Sequence, residues 1–159
     1  MNKTFPSVGL VGKSAKEIAR VFLRMSGGRA SCYQITDKQI KGPKVNVLVA
    51  AEASPVLVNL VPKLEQTDYL VVNSDDKEIF PLLSQSEATL ITYGFNGKAC
   101  ITASSVTDEG LQVCIQRAFH DMDGEEQLPQ EFSAKMRIRE NSDSVLAAAA
   151  ALAVCGVMA

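Results

Sequence analysis

Histidine is almost missing from this chain, with His120 the sole example in 159 residues. A zinc site or a Cys/His nucleophile needs a richer set, and the four cysteines (Cys32, Cys100, Cys114, Cys155) show no CxxC spacing that would supply it. They read as small core residues in a reducing cytosol. An excess of charge is missing too: 16 basic and 18 acidic residues are interspersed and leave a net charge of −2. With no basic face, neither nucleic acid nor an anionic membrane is expected as a partner. Aromatics make up 6% of the chain, and Tyr33, Tyr69 and Tyr93 are too dispersed to form a stacking platform. No apolar run reaches the ~20 residues of a spanning helix. The run from Val145 to Ala159 is shorter and dominated by alanine, which reads as a buried core helix. No basic stretch followed by an apolar one opens the chain, so a signal peptide is not expected and the expected location is cytoplasmic. Internal repeats, low-complexity linkers and a domain boundary are all lacking.

What is present is enough apolar material for one domain with a proper core: 47% of residues are hydrophobic and 21% charged. Thr4 to Val11 reads as a strand running into a glycine turn. The next segment sets Ala15, Ile18, Ala19, Phe22 and Leu23 on one helical face, with Lys16, Glu17, Arg20 and Arg24 outside it, and Gly27-Gly28 ends it. Three near-continuous apolar runs, Lys44 to Glu52, Asp68 to Asp76 and Ala88 to Gly94, predict strands covered on both faces. Helical segments fit between them at Pro55 to Leu64 and Lys77 to Ser84. Alternation of this kind predicts a mostly parallel, doubly wound sheet flanked by helices. After Gly94 the pattern changes to consecutive strand-like segments, with Asn96-Gly97, Asp108-Glu109-Gly110 and Asp123-Gly124 at the connections. These predict an antiparallel β extension. The alanine-rich C-terminal helix follows, with Asp143 or Ser144 as candidate cap and Gly156 at its stop.

The stretch "SVGLVGKSAKEIARVF" (Ser7 to Phe22) has two readings. Gly12-Lys13-Ser14 ends as a phosphate loop does, with Lys for charge and a hydroxyl for Mg²⁺, yet the spacing GxxxxGK[ST] calls for glycine where Ser7 stands. The other reading is a plain glycine turn with Lys13 in solvent. In a parallel sheet, ligands bind beyond the carboxyl ends of the strands. Those ends carry Gly9 to Ser14, Glu52-Ala53-Ser54, Asn73 to Asp76 and Thr92-Tyr93-Gly94. Glu52 ends an apolar strand, where a carboxylate must be exposed, paired or bound to a cation. Asn73 to Asp76 makes a turn and a helix cap as readily as it makes a catalytic group.

Taken in order, four stretches resemble the central ATP-binding domain of the Mur ligases and the related folylpolyglutamate synthetases. "VGLVGKS" matches that family's xGTNGKT[TS] loop in register at Gly9, Gly12, Lys13 and Ser14. "VVNSDDKEIF" and "LITYG" resemble its later strands, and "RENSDSVLAAAAALAVCGV" resembles its "GxHNvxNaLAAiAaalxlGi" helix. The resemblance covers most of the chain, residues 1–159 forming one such domain. It implies that Gly9, Gly12, Lys13 and Ser14 hold phosphates, that Ser14 and Glu52 bind Mg²⁺, and that Asn141 lies beside adenine. The chain departs from the pattern at Leu10-Val11, at Ala15 for Thr, at Glu140 for His and at Ser144 for the second Asn. It also lacks the segment with the carbamylated lysine, and nothing in it matches the family's acceptor-binding and amino-acid-binding domains.

Two functions follow from these residues. One is an ATP–Mg²⁺ binding module of the amide-forming ligase type, which needs other domains or a protein partner for ligation; no catalytic residue is assigned. The other is a structural or interaction domain that keeps the fold without nucleotide. Intact Gly12-Lys13-Ser14 supports the first, and apolar Leu10-Val11 the second.

Overall fold

Residues 6–36 and 45–157 are described by a computed structural model. Eight strands form one sheet: β1 (Ser7–Val11), β2 (Ser31–Gln34), β3 (Val47–Ala50), β4 (Tyr69–Asn73), β5 (Thr89–Tyr93), β6 (Ile101–Thr107), β7 (Gly110–Ile115) and β10 (Gln130–Lys135). A two-stranded ribbon, β8 (Phe119–His120) with β9 (Glu126–Gln127), stands apart. The order across the sheet is β10-β7-β6-β5-β4-β3-β1-β2. From β2 to β6 the neighbours are parallel; β7 and β10 are antiparallel. The α/β class and the antiparallel extension are as the patterns imply, with β6 the junction: it meets β5 in parallel through Tyr93 and Ile101, then turns back into β7. Thr4, Phe5 and Lys44 of the expected strands lie outside the described residues.

The apolar runs of β3 and β4 are buried because both faces of the sheet are covered. On one face lie α1 (Ala15–Ser26) and α3 (Ser142–Cys155), packed against each other. On the other lie a single turn, α2 (Leu57–Leu60), and two 3₁₀ segments, Val61–Lys63 and Lys77–Leu83. The expected helices at 55–64 and 77–84 are therefore short and tight. Pro62 and Pro81 sit inside them, and a proline has no N–H to continue an α-helical ladder.

Residues Ser144–Cys155 of α3 are all buried, so the alanine-rich run is, as far as Cys155, the core helix that the sequence predicts; Met158 and Ala159 lie outside the described residues. Small side chains let it lie close to the sheet on one side and to α1 on the other. Its cap is Asn141, whose Oδ1 accepts from the Ser144 N–H (2.8 Å), in place of the Asp143 or Ser144 expected. The helix ends at Gly156, as expected. No helix among the described residues is long and apolar enough to cross a membrane. All four cysteines are free; Cys100 and Cys155 are buried, and Cys32 and Cys114 half-buried. Burial, with Asp123 and Asp121 nearby, pushes the Cys155 thiol up to about 12, which makes it inert.

Candidate functional site

The connection after β1 runs to α1 on one face of the sheet, and the connection after β3 runs to α2 on the other. Between β1 and β3 the strand order reverses, and such a reversal opens a crevice at the carboxyl ends. Gly12-Lys13-Ser14 comes from one wall of it and Glu52 from the other.

Gly12 has φ +120°, a conformation that L side chains rarely adopt, and a Cβ there would run into the Glu52 carboxylate. The close approach lets the Ser14 hydroxyl donate to Glu52 Oε1. Ser14 is the residue before α1, yet its side chain makes no capping bond, because its hydroxyl is turned across the crevice. Glu52 Oε2 is buried without a hydrogen-bond partner. Lys13 is exposed and makes no hydrogen bond or ion pair among the described residues. Leu10 and Val11 belong to β1 and pack into the cores on the two faces of the sheet, so these apolar residues leave the crevice open. Gly9 also lies within β1, paired with Tyr33 and Leu48, where a Cβ would collide with Ile35 at 2.5 Å and crowd Val45 at 3.2 Å. Its place in the sequence motif thus coincides with a packing requirement.

Asn73 to Asp76 braces the site. Asn73 Nδ2 donates to the Ala51 carbonyl (3.1 Å) and the Ala53 N–H donates to Asp76 Oδ2 (2.9 Å), which fixes the backbone on both sides of Glu52. Asp76 also caps the following 3₁₀ segment through the Glu78 N–H (3.2 Å), the role foreseen for it. Asp75 accepts from the Phe95 N–H (2.8 Å) and from Asn96 Nδ2 (2.7 Å), tying in the turn after β5.

A pocket of about 250 Å³ opens among Ser14, Glu52, Asn73, Tyr93, Asp143 and Ser144. Asp143 and Ser144 enter it from the first turn of α3, a contribution the sequence reading missed. Burial pushes the Tyr93 phenol well up, and the negative charges of Glu52, Asp143 and Asp75 push it further. Asp143 is raised by burial first, then by Asp75 and Glu17. A larger groove of about 650 Å³ shares Ser14 and runs along α1, bordered by Lys13, Lys16, Arg20, Arg137 and Arg139. Asn141 is engaged already: besides capping α3, its Nδ2 donates to Glu17 Oε2 (2.8 Å) and its N–H to Glu17 Oε1 (3.1 Å). Glu140 accepts from Arg24 Nε (3.1 Å) and Nη2 (2.6 Å), joining the approach to α3 to α1. His120 is exposed, as expected.

A glycine loop at the switch point, carboxylates on the neighbouring strand ends and an antiparallel edge make an α/β domain built on a mostly parallel sheet. Mur ligases are among the solved structures that share this fold. A UDP-N-acetylmuramoyl-L-alanyl-D-glutamate–2,6-diaminopimelate ligase superposes with a TM-score of 0.71 over 97% of this chain and 44% of its own, at 11% identity. A MurF ligase from Thermotoga maritima, in complex with ADP, gives 0.62 over 95% of this chain and 45% of its own, at 10% identity. The likeness is one of fold, and this chain spans less than half the length of either ligase. Compared by sequence, it matches no family model and no curated protein.

Proposed function

We propose that this domain binds ATP with Mg²⁺ at Gly12-Lys13-Ser14 and serves as the nucleotide half of a ligase that joins a carboxylate to an amine. The observation that carries the reading is the Ser14–Glu52 contact: a hydroxyl and a carboxylate meet at the N-terminus of the 12-residue helix α1, with a second carboxylate oxygen buried and unpaired beside them. The donor set fits a hard cation, which takes oxygen ligands and, as Mg²⁺, keeps several waters while using one or two carboxylates plus phosphate.

In this reading the amides at the start of α1 and the Lys13 ammonium receive the phosphates, while Ser14 and Glu52 hold the cation. Gly9 serves the site from within β1, where it leaves room for Ile35 and Val45. Asn141 retains one amide hydrogen and a free lone pair for a base lying over the start of α3. When bound, Mg²⁺–ATP supplies an electrophilic phosphoryl group for activating a carboxylate. Acceptor and amine are expected from further domains or a partner protein, since the chain spans less than half the length of either ligase that shares its fold. Calorimetric titration with Mg²⁺–ATP tests the proposal directly. Saturable binding that needs both Lys13 and the cation supports it; no heat at millimolar Mg²⁺–ATP would leave the domain a structural or interaction module.

A further inference from the structure

We propose that the 650 Å³ groove along α1 docks an acidic segment of a partner protein, held by Lys16, Arg20, Arg137 and Arg139 around the exposed side chain of Ile138. The inference goes beyond the nucleotide reading and uses neither Lys13 nor Ser14, which stand at the end of the groove nearest the crevice.

Charges are interspersed along the chain and leave a net −2, yet the fold gathers six cationic side chains and only two carboxylates on this groove. Both carboxylates are already engaged. Glu17 accepts from Asn141, and Glu140 accepts from Arg24 and from the Arg137 N–H. Lys16, Arg20 and Arg139 are exposed and have no hydrogen-bond or ion-pair partner among the described residues. Cations crowded without counter-charge repel one another, and they steer in an anionic partner that relieves the repulsion. From Lys16 to Arg24 the helix advances about 12 Å, the length of roughly four residues of extended chain, so a short linear segment spans the stripe.

The turn from Arg137 to Glu140 is braced, which fixes what it presents. The Glu140 N–H donates to the Arg137 carbonyl (3.1 Å), the Arg137 N–H to Glu140 Oε1 (2.8 Å) and Arg24 Nη2 to the Lys135 carbonyl (3.0 Å). Arg139 has φ 76°, the one left-handed non-glycine residue among those described, and Ile138 stands beside it at the tip of the turn, 94% exposed. No other large apolar side chain among the described residues is as exposed. An isoleucine between two arginines suits a peptide that sets an apolar residue between acidic ones. A nucleic acid would leave it unused, and a flat anionic bilayer does not enter a concave groove.

The test is fluorescence anisotropy on the full chain with a labelled peptide that repeats Glu-Glu-Leu, beside Gln-Gln-Leu and Glu-Glu-Ser versions, a single-stranded DNA and phosphatidylserine vesicles. The Glu-Glu-Leu peptide is expected to bind at micromolar concentration, less tightly as salt rises, and ahead of every other probe. Arg20→Glu should weaken it about tenfold or more, and Arg139→Asn severalfold, since asparagine tolerates the left-handed backbone while removing the charge. Ile138→Ser should abolish the preference over Glu-Glu-Ser, a readout that a bare charge effect would not move. Unchanged melting curves show that the variants fold. No binding by the parent, parent-like binding by Arg20→Glu, or stronger binding of the DNA or the vesicles overturns the inference. Displacement of the peptide by Mg²⁺–ATP at matched ionic strength overturns it too, by putting the peptide on the Gly12–Ser14 loop. Peptide binding in a chain that takes up no Mg²⁺–ATP upholds the docking groove and removes the nucleotide reading alone.

Discussion

At Gly12 two demands coincide, a left-handed φ and a Glu52 carboxylate lying where a side chain would begin. Gly12→Ala should therefore cost about 1–3 kcal/mol in denaturant melts, through strain and displacement of Glu52, well beyond an ordinary loop substitution. Lys13 behaves oppositely, because it is exposed and unengaged. Lys13→Ala is expected to change stability by less than about 0.5 kcal/mol while weakening Mg²⁺–ATP by roughly tenfold or more, the cost of one charge-assisted hydrogen bond. Calorimetry and melting curves on the same variant check the separation. The glycine turn and the exposed Lys13 were legible in the sequence because such a turn is local: three neighbours suffice to suggest it. The basic groove was not, since its cations come from two segments far apart in the chain. Leu10 and Val11 misled for the same reason. They stand in the motif but belong to the strand, and a short motif does not reveal where a strand ends.

Between elements, the clearest device is the clamp of Arg24 on Glu140, which fastens the segment before α3 to α1. Both side chains are mostly covered, at 16% and 13% exposure. Burial alone would raise the Glu140 carboxyl, but the Arg137 N–H, then the hydrogen bond and charge of Arg24, outweigh it and hold the group below its usual value. A depressed folded value gives stability that is fully present above the ordinary glutamate range near ~4.3 and fades as pH falls through the folded value. Glu140→Gln should thus lose about 1–2 kcal/mol at neutral pH, with the difference from the parent narrowing toward acid; urea melts across that range measure it. The braces from β4 matter in another way. Asp76→Asn is expected to weaken the hold on the Ala53 N–H and loosen Glu52, so that cation affinity falls severalfold while the thermal midpoint shifts by a few degrees at most. Of the elements themselves, β1, β3, β4 and β5 were readable from their apolar runs. The edge strand β2 was not, because Ser31–Gln34 is short and half-exposed and carries no such run. On α1, Leu23 is 52% exposed and Val21 buried, contrary to the expected face. The helix packs against α3 as well as the sheet, which turns its buried stripe toward Val21.

Across the molecule, the sheet is covered unequally. One face carries two full helices, the other a single turn and two 3₁₀ segments. The heavier face depends on α3, whose alanines permit close approach on all sides. Ala149→Leu should therefore cost about 1–3 kcal/mol by overpacking, even though leucine is an excellent helix former; chemical denaturation with an unchanged slope would show that only packing is affected. The class of fold could be read from the order of patterns, since alternation followed by consecutive strands admits few topologies. The unequal cover could not, because the prolines that shorten the second face act on hydrogen bonding and leave the apolar spacing intact.

The lateness of α3 carries a consequence for biosynthesis. Every strand of the sheet, and α1 as well, leaves the ribosome before Ser142 does, yet the face of β3 to β7 on which α3 packs lacks its main cover until α3 arrives. At translation speeds of about 5–20 residues per second, the fourteen residues of α3 take roughly one to three seconds to appear. Throughout that interval the nascent domain presents an apolar floor without its largest covering element, the circumstance in which holding chaperones engage. A chain arrested just before Ser142 should accordingly bind a hydrophobic dye and lack a cooperative melt, and supplying residues 142–157 as a separate peptide should restore part of both.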